Sequence, residues 1–227
     1  MKLICSKNNL QKSVSIVMKA VPSKTTMPIL ECILIDASAG EIKFTTNDME
    51  LGIETKVEGQ ILEKGIIAID AKIFSDIVRK LPDNDVTIET NSNMQAMITC
   101  EKARFAISGK SGDDFACLPY VERQECITIS QFTLKELVRQ TIFSIAVNEN
   151  NKMMTGELFE VNENSLKVAS LDGHRISIRK VELKETYNHH KVIVPGKTLT
   201  EVSKILSGET EDEVRIFFTG NHIVFEF

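Results

Sequence analysis

The sequence predicts an α+β fold made of two duplicated domains, 1–122 and 123–227, each with two helices packed on antiparallel sheets as an internal βαβββ repeat. Three observations carry this. Short apolar runs of strand length outnumber the amphipathic helical stretches. The order of strands and helices begins again near residue 126. The length, 227 residues with 42% hydrophobic and 26% charged, is enough for two ordinary cores and places the chain among soluble globular proteins.

In the first copy, an apolar run gives a strand at 3–5. At 100° per residue, Leu10, Val14, Val17 and Val21 then fall on one narrow stripe, so 8–20 reads as a helix with Lys12 and Lys19 opposite. Strand-like runs follow at 29–36, 41–46, 51–57 and 65–69. A second helix, 71–81, is expected to bury Ile73, Phe74, Ile77 and Leu81 and to turn Lys72 and Arg79 away. Strands at 85–90, 94–100 and 104–108 complete the copy.

The second copy keeps the order: strand 126–129, then helix 132–144 with Leu134, Leu137, Val138 and Thr141 inward and Lys135 and Arg139 on the exposed flank. Strands at 156–161, 165–170, 174–183 and 191–194 follow. Helix 196–206 turns Leu199, Val202 and Leu206 inward and Lys197 and Lys204 outward, and strands 213–218 and 223–227 close the chain. An offset of 124 aligns Leu34 with Leu158, Lys43 with Lys167 and Asp48 with Asp172; an offset of 125 aligns Lys72 with Lys197 and Leu81 with Leu206. Cys100 corresponds to Phe225, so the counterpart of strand 104–108 is missing from the second copy. Either the chain is a fragment or something else supplies that edge strand.

Composition excludes several classes. No apolar run is long enough for a membrane span, and the start turns polar too early for a secretory segment, so the expected compartment is the cytoplasm, with no membrane partner. Five cysteines without CxxC spacing read as small core hydrophobes, not as a disulfide framework or a zinc site. Gly109-Lys110-Ser111 resembles the tail of a phosphate loop, but Arg104 stands where the first glycine is needed and no helix follows. His189-His190 reads as an exposed loop. No catalytic, metal or cofactor site is expected.

Charge is more informative in its distribution. The net charge is −5, yet the four helices carry nine basic residues (those named above plus Lys80) against the three acids Asp76, Glu136 and Glu201. The helices are thus +6 and the remainder −11. Such faces are either simple solubilising surfaces or, if gathered on one side, a surface for a phosphate backbone. Without Trp and with only Tyr120 and Tyr187, base stacking on single strands has little support; sequence-independent backbone contact remains.

Asp172-Gly173 between Lys167-Val168-Ala169 and Ile176-Ser177-Ile178 is a two-residue hairpin signal, since glycine accepts positive φ. It is either only a turn or, with Leu171, the His174 ring and Ile176 bordering an apolar surface beside Met154, a place for a short extended peptide. Asp172, His174 and Arg175 could also be read as an acid–base cluster of a small enzyme.

Thr26-Met27-Pro28-Ile29-Leu30, Thr46-Asn47-Asp48-Met49-Glu50, Asp172-Gly173-His174-Arg175, and Val192-Ile193-Val194-Pro195 leading into Lys197 resemble the bacterial sliding clamp family, the beta subunit of DNA polymerase III. The resemblance runs the whole chain and covers the first two of three clamp domains. It implies a non-enzymatic processivity factor: a ring, homodimeric when full length, with helices lining a hole around duplex DNA. It implies a pocket at Met154, Leu171, Gly173, His174, Arg175 and Ile176 for short motifs of the polymerase III catalytic subunit, clamp loader and repair polymerases. DNA-facing residues would be Lys24, Asn148, Lys152 and Lys197 with the helix cations. The ring interface would use Lys72, Phe74, Phe105 and Ile107. The alternative is an interaction scaffold that does not encircle DNA.

Overall fold

Alternating apolar residues make Lys2–Ser6 a strand (β1) that buries Leu3 and Cys5, and Ser6 ends it by capping the next element. Its hydroxyl accepts the Asn9 N–H at 3.2 Å and starts helix Lys7–Val17 (α1), which buries Leu10, Val14 and Val17 as its stripe requires. In this computed structural model, which describes residues 1–123, 125–147 and 151–227, Met1–Leu118 and Pro119–Phe227 form two separate units.

The first unit continues through strands Cys32–Asp36 (β2), Ile42–Asn47 (β3), Gly52–Val57 (β4), Gln60–Glu63 (β5) and Ile66–Asp70 (β6), then helix Ala71–Lys80 (α2). Strands Asp85–Thr90 (β7), Gln95–Cys100 (β8) and Ala103–Lys110 (β9) complete it. One antiparallel sheet runs β4-β3-β2-β6-β9-β8-β7-β1-β5. Asp70 caps α2 by accepting the Ile73 N–H at 2.7 Å. The helices pack on each other, and under them Phe44 and Phe74 meet edge to face at 6.0 Å.

The second unit has strand Cys126–Ser130 (β10), helix Gln131–Thr141 (α3), strands Gly156–Leu171 (β11) and Ile176–Pro195 (β12), helix Gly196–Ile205 (α4), and strands Glu213–Phe218 (β13) and Ile223–Glu226 (β14). Ser130 caps α3 through the Thr133 N–H at 3.1 Å, 124 positions after Ser6 does the same for α1. Strand β10 pairs with β13 and β13 with β14; β11 pairs with β12. The Lys167 ammonium reaches Glu160, which also faces Lys191 across the ladder. Seven residues of straight strand would separate them by roughly 23 Å. Strand β11 therefore folds back around Glu163, whose φ is +51° and where the register breaks. This restores the separate runs 156–161 and 165–170, the counterparts of β2 and β3.

Five local expectations change, the first being that His189-His190, read as an exposed loop, lie within β12, where His190 pairs with Val161 and stacks on Phe218. Residues 28–31 form a 3₁₀ turn and the strand starts only at Cys32, because Pro28 fixes φ and lacks an N–H to give a ladder. Strand β5 was not foreseen; it is short, largely exposed, and held by pairing with β1. On α2 the inward side is Ala71, Phe74 and Val78, while Ile73 is 50% exposed and Ile77 only half-buried. Of the cysteines, Cys5, Cys32 and Cys100 are buried, but Cys117 is exposed. No helix among the described residues is long and apolar enough to cross a membrane.

Candidate docking and nucleic-acid surfaces

The helix cations divide into two groups. Arg79 pairs with Asp76 at 2.7 Å, Arg139 with Glu136 at 2.7 Å and Lys204 with Glu201 at 2.6 Å, each three residues apart on its own helix. Lys135, expected on the exposed flank, is half-buried, and its ammonium donates to the Leu206 carbonyl at 3.1 Å, closing the end of α4. Lys12, Lys24, Lys72 and Lys152 are exposed and Lys19 is half-buried; none of them is in an ion pair among the described residues. Lys197 is exposed in the first turn of α4. Asn148 lies outside the described residues.

The Asp172-Gly173-His174-Arg175 turn is locked from within. Asp172 Oδ1 accepts the backbone N–H groups of His174 and Arg175, both at 3.1 Å, and Oδ2 takes the Arg175 Nε–H at 2.8 Å. Gly173 sits at φ +85°, where a side chain would strain the backbone. The backbone N–H of His174 and, after it, the Arg175 guanidinium hold the Asp172 carboxyl below the usual aspartate range. A group with a depressed pKa stabilises the fold above its unfolded pKa and loses that contribution as pH falls through the folded one. The turn therefore stays locked through neutral pH and loosens only in acid. Asp172→Ala is expected to speed amide exchange at His174 and Arg175 while leaving α3 and α4 protected, and Asp172→Asn is expected to retain most of the protection.

Around this turn the apolar surface is open. Ile176 is 62% exposed, and Leu171 and Ile178 are exposed beside it; Met154 is half-buried on the 3₁₀ turn before β11. The Arg175 guanidinium lies over the Phe143 ring, 6.0 Å from its centre. Phe143, Met153 and Ile178 were not foreseen here. Phe143 had a readable signal, because it falls nine residues after Leu134, half a turn away from the buried stripe. Three hydrogen bonds tie the end of α3 to this surface. Ser170 Oγ donates to the Thr141 carbonyl at 2.6 Å, the Ser144 and Ser177 hydroxyls meet at 2.6 Å, and the Ala146 N–H donates to the Met154 carbonyl at 2.9 Å. Nothing in the arrangement pairs a nucleophile with a base, and Asp172 is held as an acceptor.

A second open surface lies in the first unit. Ile73, Asp76, Ile77 and Lys80, spaced along one flank of α2, line a shallow depression with Phe105 of β9. Strand β9 pairs with β8 from Ala103 to Ser108 but meets β6 only at Gly109 and Lys110, so most of its other edge carries no ladder. Lys72 and Phe105 are exposed here. Phe74 and Ile107, expected with them, are core residues instead: the helix turn puts Phe74 against Phe44, and strand alternation puts Ile107 under α2.

Three residues after Met154, Glu157 is fully buried (0% exposed) on β11 opposite Val194. Neither carboxyl oxygen has a hydrogen-bond partner. Burial, only partly offset by the adjacent Thr141 hydroxyl, pushes its pKa up from 4.5 to about 7. That hydroxyl is engaged with the Leu137 carbonyl at 2.7 Å.

Both units have counterparts among known proteins. Residues 1–119 match the family model "DNA polymerase III beta subunit, N-terminal domain" and residues 128–227 match its "central domain". The chain is 36% identical over 217 residues to the beta sliding clamp of Staphylococcus aureus, an alignment covering 92% of this chain and 57% of that protein. The chain thus spans little more than half the length of the curated relatives it matches. A crystal structure of a putative DNA polymerase III beta subunit from Eubacterium rectale is 69% identical and superposes with a TM-score of 0.99 over 100% of this chain and 62% of that one. A Pseudomonas aeruginosa sliding clamp bound to griselimycin is 25% identical, with a TM-score of 0.92 over 99% of this chain and 61% of that one.

Proposed function

The chain belongs to the DNA polymerase III beta subunit family, and on that footing we propose that it works as part of a DNA sliding clamp: a ring that encircles duplex DNA and tethers the replicative polymerase, with no catalytic activity of its own. The observation that carries this reading is the internally locked Asp172–Arg175 turn, set in an open apolar surface, in a chain whose two halves both match the family. Retention by a ring is topological. Contacts to DNA can therefore be weak and blind to sequence, which permits sliding. Lys12, Lys19, Lys24, Lys72 and Lys152 are the residues proposed to face phosphate, joined by Lys197 through its exposed place in the first turn of α4; Arg79, Arg139 and Lys204 would have to leave carboxylate partners to join them, and Lys135 is held by a carbonyl. Neutralising Lys12, Lys19, Lys72 and Lys197 together is expected to flatten the dependence of log K on log salt by about 3 to 4 for duplex DNA, measured by fluorescence anisotropy. An unchanged slope would favour a scaffold that does not encircle DNA.

The apolar surface at Met154, Leu171, Gly173, His174, Arg175 and Ile176 is proposed as the dock for short motifs of the polymerase III catalytic subunit, the clamp loader and repair polymerases. Phe143 and Ile178 extend it. Griselimycin, carried by the Pseudomonas aeruginosa relative, is the probe. Calorimetric titration is expected to show binding to this chain and at least tenfold weaker binding to Leu171→Glu/Ile176→Glu, which puts charge into the apolar contact. Equal binding to both would move the dock elsewhere.

Ring closure is proposed at the open edge of β9 with Lys72, Ile73, Ile77 and Phe105, in a homodimer of the full-length protein. Such a protein works in the cytoplasm, where the chromosome is.

A further inference from the structure

A carboxyl group in a dry core is retained at a cost, and the Thr141 hydroxyl beside Glu157 offsets only part of it. Glu157 is fully buried, neither oxygen has a hydrogen-bond partner, and the residue facing it across the ladder is Val194. No charged side chain among the described residues faces it from the elements packed on β11. Glu136 and Arg139 of α3 and Lys204 of α4 are ion-paired on their own helices, and Lys135 reaches Leu206. Lys197 and Lys152 are exposed at the start of α4 and on the turn before β11, and Lys191 of β12 pairs with Glu160. Burial therefore favours the protonated form of this carboxyl.

One polar group lies within reach, the Thr141 hydroxyl at the last residue of α3. To serve a carboxylate it must release the Leu137 carbonyl that it now holds at 2.7 Å. Thr141 is also where α3 is tied to the docking face. Its carbonyl accepts Ser170 Oγ, one residue before Leu171, and the 3₁₀ turn that follows it leads to the Ser144–Ser177 and Ala146–Met154 bonds. A change of partner at Thr141 therefore reaches the residues that border the dock.

We infer that Glu157 is a proton-sensing positioning residue under the docking face: protonated, it leaves the end of α3 closed on Met154 and Leu171, and on losing its proton it draws the Thr141 hydroxyl or water and loosens that closure. The inference rests on the docking reading for its consequence, but not for its test. The two arrangements of Thr141 are the two states, and the carboxyl proton is the ligand that selects between them. The upward shift caused by burial puts the transition near neutrality, at about 7, where small changes in pH move the population.

The test is methyl NMR of the whole chain labelled at the methionine methyls, titrated from pH 5.5 to 8.5. In the wild type the Met154 resonance is expected to shift with a midpoint near 7. In Glu157→Gln, which has the same shape and no charge at any pH, it is expected to stay at the wild-type low-pH position. His174 of the same surface is present in both proteins, so a movement that does not come from Glu157 appears equally in the two. A Met154 resonance that does not move in the wild type, or that moves equally in Glu157→Gln, overturns the inference. Thr141→Val supplies a second reading: it removes the hydroxyl but keeps the shape, and is expected to reduce the Met154 shift by at least half, whereas an undiminished shift contradicts the route through Thr141. Failure of the griselimycin titration would remove the dock while leaving this proton-linked movement intact, so the two readings fail separately.

Discussion

Replacing Phe74 with alanine is expected to destabilise the first unit by about 3–5 kcal/mol, the cost of emptying a fully buried aromatic site that cannot collapse. Phe74 packs edge to face on Phe44 and lies in a cluster fed by both helices and the sheet beneath them. Thermal unfolding followed by circular dichroism should show Tm lowered by more than about 10 °C. Phe105→Ala is the contrasting variant. That ring is 38% exposed at the open edge of β9, so its loss is expected to change stability by no more than about 1 kcal/mol. In the full-length protein its effect should fall on dimerisation. The pair of variants separates a core phenylalanine from a surface one, although the family resemblance places both at the ring edge.

Glu157→Met is expected to stabilise the second unit, and more so as pH rises. The folded carboxyl has its pKa raised to about 7 from 4.5, so between those values the folded state holds a proton that the unfolded chain has already released. Stability from this group is therefore greatest below about 4.5, falls as pH climbs through the window, and levels off above about 7. The loss is on the order of 3 kcal/mol by pH 8. Chemical denaturation of both proteins at pH 5 and pH 8 checks it: the gap between variant and wild type should widen at the higher pH. A gap that narrows would mean that Glu157 is ionised and compensated in the native state.

The helices and most strands were legible because they rest on local rules. Leu10, Val14 and Val17 share a stripe, and the Asp172 side chain makes the turn at Asp172-Gly173 from within. Strand β5 was not legible, since its order comes from pairing with β1 and not from an apolar pattern of its own. The Asp172–Arg175 turn was legible from its residues, whereas Phe143 joins the apolar surface beside it only through the path of the chain after α3. The proposed ring edge shows how resemblance and geometry differ: moving one position along α2, from Phe74 to Ile73, rotates a side chain by about 100° from core to surface. Glu157 falls on the inward side of the alternation that includes Phe159 and Val161, so its burial could be read. That it would find no partner there could not, because that depends on how Thr141 of another element is already bonded.

The account rests most heavily on basic helices as the part of the chain that meets DNA. The direct measurement is an NMR titration of the isotope-labelled chain with duplex DNA of two unrelated sequences, at low and at physiological salt. The amides around Lys12, Lys19, Lys72 and Lys197 should shift in the same way with both sequences, and the shifts should fade at the higher salt. Perturbations confined to the outer strands, or different for the two sequences, or absent even at low salt, would contradict it.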